Sequence, residues 1–175
     1  MELMDVYDRD GNLTGAVKDK DAQWAPDEYR LAVGIWIISD EGKLLITRRS
    51  MEKSFAPGKW ENTAGHVHAG EPCEQAIIRE LKEETGIAIT QEQITLLGKV
   101  CVWPYLGRNY GVHLNTPISA VTCQKGETDA AKWVDFEEFV RMCLREEVAP
   151  SVVAHLQDYK ESFLQFVGHP EETRL

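Results

Sequence analysis

The sequence predicts one domain of the α/β or α+β class, and three observations carry that expectation. Apolar runs of strand length recur along the chain, and apolar residues at helical spacing appear between and after them. No periodic repeat and no linker rich in Pro, Gly or Ser divides the chain. Its 175 residues, 43% of them hydrophobic, suffice for one domain with its own core.

Residues 1–20 read as an N-terminal hairpin, Met4–Tyr7 against Leu13–Val17, because Asp10-Gly11-Asn12 is turn chemistry. A calcium loop at Asp8–Asn12 fails, since the glycine comes too early and the closing glutamate is absent. Leu31–Ser39 reads as a buried strand, Asp40-Glu41-Gly42 as a turn, and Lys43–Arg49 as the returning strand. Trp60–Ala64 leads as a short strand into Gly65. A helix follows over Pro72–Thr85, with Pro72 suited to its first position and Gly86 to its left-handed C-terminal stop.

Downstream, Ile94–Trp103 and Val112–Thr122 are expected strands, joined by an aromatic loop, Trp103–Tyr110, that Pro104 and Gly107 interrupt. Ala131–Val134 reads as the last short strand. Phe136, Phe139, Val140, Cys143 and Leu144 recur at helical spacing, and a final helix is expected over Val152–Phe166 behind Pro150. Residues 168–175 are expected to fray as a flexible tail.

The helix after Gly65 carries the chemistry. Glu80, Glu83 and Glu84 stand at i, i+3 and i+4 and share one face, while Ile77, Ile78, Leu81 and Thr85 occupy the adjoining arc and face a core. Like charges at this spacing cost an isolated helix ~0.2–0.5 kcal/mol per pair, so the arrangement makes sense with a cation among them. Arg79 lies beside Glu83 and within reach of Glu71, where a guanidinium can fix a carboxylate and hold the preceding loop. An isolated Glu-Leu-Lys-Glu-Glu run would read as a solvated face. The full spacing is more specific: glycine, five residues, Glu, seven residues, Arg-Glu, an aliphatic, one residue, Glu-Glu, one residue, glycine and an aliphatic, from Gly65 to Ile87.

That pattern resembles the signature of the Nudix hydrolases at every fixed position. The resemblance implies a mixed β-sheet core sandwiched between α-helices, with the signature folded as a loop–helix–loop. It implies hydrolysis of a diphosphate linkage in a nucleoside-diphosphate-type or related small molecule, with Mg2+ or Mn2+ as cofactor. Glu80, Glu83 and Glu84 would be metal ligands, joined by the Gly65 carbonyl, with Glu71 and Arg79 as structural support. The general base would come from the helix, as Glu83 or Glu84, or from a later loop, where Glu127 in Gln124-Lys125-Gly126-Glu127 is the candidate.

The N-terminal hairpin, the Leu-Leu-Ile-Thr-Arg-Arg run ending at Arg49, and Gly65-His66 resemble a neighbouring branch, isopentenyl-diphosphate isomerase. The isomerase has an essential cysteine where this chain has Ala64, a metal-binding histidine where Arg30 aligns, and metal-binding glutamates near Val112 and Leu114. An alanine cannot move a proton, so hydrolysis is the expected activity. A third reading is a Nudix module that binds without turnover, yet such modules usually lose signature acids and this chain has lost none.

Arg48, Arg49, Lys59 and His66 are candidate contacts for substrate phosphates. Trp36, Trp60, Trp103, Tyr105 and Tyr110 could stack on a nucleobase, although aromatics in strands more often build core. His66, His68 and His113 lack the further spaced ligand that a zinc site needs. The net charge of −10 disfavours a large nucleic-acid surface. Cys73, Cys101, Cys123 and Cys143 form no CxxC and read as reduced packing residues. The longest apolar run falls short of the ~20 residues of a membrane span, and no secretory leader opens the sequence. A soluble, cytoplasmic protein acting on a small-molecule diphosphate is the expectation, and the resemblance admits a homodimer.

Overall fold

A computed structural model describes residues 2–175 of the chain. Leu3–Tyr7 (β1) and Leu13–Asp19 (β2) form an antiparallel hairpin apart from the main sheet. The main sheet contains Arg30–Ile38 (β3), Leu44–Arg49 (β4), Trp60–Glu61 (β5), Thr63–His66 (β6), Thr95–Val102 (β7), Tyr105–His113 (β8) and Thr128–Val134 (β9). Its strand order is β5-β4-β3-β8-β7, with β6 added to β3 and β9 to β4. Among the described residues, the pair β3 and β8 runs parallel and the other strand pairs run antiparallel. This is the expected mixed sheet, with helices on both faces.

β3 is apolar almost throughout because both of its faces are covered. Val33, Ile35 and Ile37 pack with Ala76, Ile77 and Leu81 of Cys73–Thr85 (α1). Trp36 and Ile38 face the other way, into a core shared with Phe136–Leu144 (α2), Pro150–Leu156 (α3) and Lys160–Phe166 (α4). Complete burial of side chains such as Ile77 and Leu81 is worth ~1.5–3 kcal/mol each. β3 also changes partner along one edge: Ile37 and Ile38 pair with β4, whereas Ala32–Ile35 pair with β6. That fork delivers Gly65 beside α1.

Several boundaries differ from the sequence-based expectation. Pro72 is the extended residue before the helix, with ψ 144°, so α1 begins at Cys73; Gly86 closes it at φ 73°, as expected. Ile78 is half-buried rather than core. The strand expected at Val112–Thr122 is instead Tyr105–His113, and Ile118–Ala120 is a short 3-10 turn. The aromatic loop is correspondingly a tight Trp103-Pro104 turn, across which Val102 pairs with Tyr105. Gly107 and Gly111 are strand positions crowded by Val100 and Phe166, which is the reason for glycine there.

The final helix is split into α3 and α4 by a 3-10 turn at Gln157–Tyr159. The break seats Tyr159 in the core, where its hydroxyl accepts from Trp36 Nε1 at 3.0 Å. The tail expected to fray makes specific contacts instead. His169 stacks on Phe136 with ring centroids 4.0 Å apart, and Arg174 is paired with Glu137 and Glu172. Among the described residues, no helix is long and apolar enough to cross a membrane.

Tyr159 needs a glycine beneath it, since a Cβ at Gly98 would lie 2.3 Å from its own Cβ. Gly98→Ala should therefore cost ~1–3 kcal/mol by overpacking, read as a lower urea midpoint with an unchanged slope. Unaltered stability would show that Tyr159 is not seated on β7.

Candidate active site

Glu80 lies directly on the backbone of β6. A Cβ at Gly65 would sit 2.1 Å from the Glu80 carboxyl carbon, so only glycine leaves that carboxyl in its place on the strand. Arg79 fastens the assembly from the side. Its Nε and Nη2 donate to the two oxygens of Glu71 at 3.0 and 2.9 Å, Nη2 also donates to the His66 carbonyl at 2.9 Å, and Nη1 donates to Glu80 at 2.9 Å and Glu83 at 3.3 Å. Glu71 additionally accepts from the His68 N–H at 3.1 Å. Burial raises the Glu71 carboxyl, but hydrogen bonds from Arg79 and His68 outweigh it and leave the group below the usual range.

The N-terminal hairpin supports the same loop. Ala69 N–H donates to the Leu3 carbonyl at 2.8 Å, and Gly70 N–H donates to Asp5 at 2.7 Å. Sequence reasoning assigned the hairpin no part in the site.

Glu84 is different from its neighbours on the helix. It is 8% exposed, and its carboxylate has no hydrogen-bond partner among the described residues. Burial first, and then the charges of Glu61, Glu80 and Glu127, push it up to about 9, with Lys53 acting in the opposite direction. Its backbone carbonyl accepts from Gln124 N–H at 3.1 Å and from the Thr128 hydroxyl at 3.3 Å. Those two bonds tie the loop before β9 to the end of α1, which is how Glu127 reaches the acidic cluster.

Glu61 and Lys53 complete this side and were not singled out by sequence. Glu61 accepts from Arg49 Nη1 at 3.0 and 2.7 Å, and burial still raises its carboxyl. Lys53 pairs with Glu127. The available signal for Glu61 was a charged residue inside a short strand four positions before Gly65; Lys53 had none, because its partner is distant in sequence.

The proposed phosphate contacts divide. Arg49 lies with the acids. Arg48 turns to the opposite face, pairing with Asp129 at 2.7 Å beside the Trp60 ring, and Lys59 donates to the Glu146 carbonyl. The His66 ring lies near Tyr105, and burial together with Arg30 lowers its pKa to about 4, so it is neutral. His113 stacks on Phe166, so the three histidines do not converge. Trp36 is core, Tyr110 donates to Glu74 at 3.0 Å, and Trp103 donates to the Ala25 carbonyl at 2.9 Å; these aromatics do not form one platform. Arg30 lies between the rings of Trp24 and Tyr105.

Among the described residues, no three acidic, histidine or cysteine side chains already surround a common point. Arg79 stands between Glu80 and Glu83, and Glu84 stands apart. The donor set is nonetheless all oxygen, as a hard divalent cation requires. The buried Glu84 carboxylate, without a hydrogen-bond partner among the described residues and in the field of other acids, is a donor that such an ion would satisfy.

The raised Glu84 pKa has a definite sign for stability. The unfolded carboxyl ionises near 4.5 and the folded one near 9, so the metal-free fold is penalised increasingly as pH rises through that window. Glu84→Gln should raise metal-free stability at pH 8 by ~1–3 kcal/mol, a gain that disappears below pH 4.5. Thermal melts in chelator check this; a destabilised variant at pH 8 would contradict the unpartnered carboxylate.

Comparison with known proteins agrees with this geometry. A family model described as a NUDIX domain matches residues 28–156. Nudix hydrolase 3 of Arabidopsis thaliana is 32% identical over 85% of this chain, which spans 21% of that protein's length. An isopentenyl-diphosphate Delta-isomerase of Mycolicibacterium vanbaalenii is 34% identical over 54% of the chain and 53% of its own length. The chain thus spans about half or less of these relatives. Among solved structures, DR0079 from Deinococcus radiodurans has a TM-score of 0.74 at 17% identity, covering 90% of this chain and 99% of that one. The NUDIX domain of Shewanella oneidensis NrtR, solved with ADP ribose, has a TM-score of 0.61 at 19% identity, covering 83% and 94%. These structural likenesses establish the fold, and with the matched domain and the complete Gly65–Ile87 signature they place the chain in the Nudix family.

Proposed function

We propose that the protein is a metal-dependent hydrolase of a diphosphate linkage in a small-molecule substrate of nucleoside-diphosphate or related type. The observation that carries this reading is the buried carboxylate of Glu84, which no side chain or backbone group among the described residues pairs and which the charges of Glu61, Glu80 and Glu127 disfavour in its ionised form. Glu80, Glu83 and Glu84, with the Gly65 carbonyl, would hold Mg2+ or Mn2+. The bound ion supplies Lewis acidity and offsets charge on the diphosphate oxygens.

The chain's own residues do the rest. Glu71 and Arg79 hold the loop and the helix in one geometry, which spares reorganisation when charge develops on the phosphate. Arg49 and Lys53 place positive charge beside the acids, each paired with a carboxylate that a phosphate can displace. Arg48 and Lys59 engage other partners and are poorer phosphate contacts. A carboxylate, Glu83 or Glu84 on the helix or Glu127 on the loop, removes the proton from the attacking water. Ala64 carries no exchangeable proton, and Val112 and Leu114 offer no ligands, which argues against the isomerase reading.

With magnesium, the test is phosphate or pyrophosphate release from nucleoside triphosphates, dinucleoside and sugar-nucleotide diphosphates, and isopentenyl diphosphate. Glu83→Gln or Glu84→Gln should lower turnover by several orders of magnitude with the fold intact by circular dichroism; near-normal turnover in both would remove the metal assignment. Glu127→Gln should reduce turnover by ~10²–10⁴-fold if it is the base. A few-fold loss would leave that role to the helix.

A further inference from the structure

The loop between Gly65 and α1 is gripped from several sides. Val67 N–H donates to the Leu31 carbonyl of β3 at 3.2 Å, and Arg79 takes both oxygens of Glu71 at 3.0 and 2.9 Å. Away from these bonds the loop turns at His68–Glu71, where Glu71 N–H donates to the His68 carbonyl at 3.0 Å and Gly70 stands at φ 75° with open space around it. A glycine in an open turn imposes no conformation of its own on the next residue. The place of Glu71 therefore depends on what holds the turn from outside.

That hold comes from β1. Its Leu3 carbonyl accepts from Ala69 N–H at 2.8 Å, and its Asp5 carboxylate accepts from Gly70 N–H at 2.7 Å, 65 residues away in sequence. A hydrogen bond to a carboxylate is about twice as strong as one between neutral groups. β1 is itself fixed to the domain. Tyr7 and Tyr29 exchange both of their backbone hydrogen bonds at 2.8 Å, and Met4 and Val6 are buried with Trp24. Arg30 of β3 lies over the Trp24 ring while its Nη1 donates to the Lys20 carbonyl at 2.6 Å. β2, by contrast, carries Leu13–Val17 exposed. The hairpin is thus a docked brace, and Asp5 is its side chain that bonds the loop among the described residues.

We infer that Asp5 is a positioning residue of the acidic site: carried on the docked hairpin, its carboxylate fixes Gly70 and, through it, the Glu71–Arg79 pair that seats Glu80. The contacts are continuous. Asp5 holds Gly70 N–H, Glu71 is the next residue, Arg79 bonds Glu71, and Arg79 Nη1 donates to Glu80 at 2.9 Å. Without the Asp5 carboxylate, Glu71 gains freedom at Gly70 and Arg79 is released for part of the time. Asp5 itself bonds none of the acids of α1 among the described residues, so its effect falls on how often those acids are in place, which is read in kcat, and not on how tightly substrate is held. The inference rests on the hydrolase reading for its catalytic meaning, while the geometry it describes is measurable without turnover.

The test is hydrogen exchange at Arg79 Nε, whose N–H donates to Glu71, followed by nuclear magnetic resonance in chelator. Asp5→Ala should speed that exchange ~10-fold, and Asp5→Asn, which keeps an oxygen acceptor for Gly70 N–H, should return it to within ~3-fold of the unsubstituted protein. The Tyr7 and Tyr29 amides should keep their protection and the urea midpoint should not move, because their bonds and the burial of Met4 and Val6 do not depend on the carboxylate. Leu13→Ala, on exposed β2, is the hairpin control and should leave Arg79 unaffected. With magnesium and a diphosphate that the unsubstituted protein turns over, Asp5→Ala should lower kcat ~5–10-fold at unchanged KM, again recovered in Asp5→Asn. Unchanged Arg79 exchange in Asp5→Ala, equal acceleration by Leu13→Ala, no recovery in Asp5→Asn, or faster exchange with kcat unmoved would overturn the inference. Loss of Tyr7 and Tyr29 protection in Asp5→Ala would overturn it as well, since the residue would then be a prop of the hairpin alone. Absence of turnover in the unsubstituted protein counts against the hydrolase reading and leaves the exchange result to decide the role of Asp5.

Discussion

The Glu80 carboxyl seated over the bare Cα of Gly65, and held there by Arg79, is the contact around which the acidic site is arranged. A side chain at Gly65 would force the Glu80 carboxyl aside. Arg79 would then lose its bond to Glu80 while keeping those to Glu71 and the His66 carbonyl. Gly65 and Arg79 therefore fix where the Glu80 charge lies. Neither contact is strong in isolation. Their joint effect is to leave the loop, the strand end and the helix with a single mutual geometry.

Such an assembly of carboxylates is repulsive, and its stability has to come from elsewhere. Two apolar cores, one on each face of the sheet, supply it. α1 contributes Ala76, Ile77 and Leu81 to one core, while the other, around Trp36, Phe139 and Phe163, is remote from the acids. The end of α1 is further tied by Glu84 and Thr85 carbonyls to the segment before β9. The backbone of Glu84 is consequently well satisfied while its carboxylate is not.

Kinship with the isomerases is visible in sequence, while the positions that carry their chemistry hold other residues here. The cysteine position holds Ala64, exposed on the second sheet face, and Arg30 stacks between Trp24 and Tyr105 where a histidine would align. Val112 is buried in the core against α1 and Leu114 packs on its margin. Proton-transfer and metal-binding groups are absent from those positions, whereas the acids of α1 are complete. The two faces of β6 differ, with Glu80 against Gly65 on one side and the small Ala64 on the other.

The helix of acids, its stop at Gly86, the buried β3 and the pairing of Arg79 with Glu71 were legible because each depends on neighbours within about ten residues. Helical and strand periodicity report such local geometry directly. The strand at Tyr105–His113 was not legible, since its prolines and glycines signal a loop locally and make sense only once β3, β7 and Phe166 pack against them. Lys53 and Glu61 belong to the same class. By itself, the sequence determined that three acidic side chains would stand on one helix beside a glycine-bounded loop. Tertiary structure alone decided which further acids and cations meet them, because burial and electrostatic coupling arise between segments that only the folded sheet brings together.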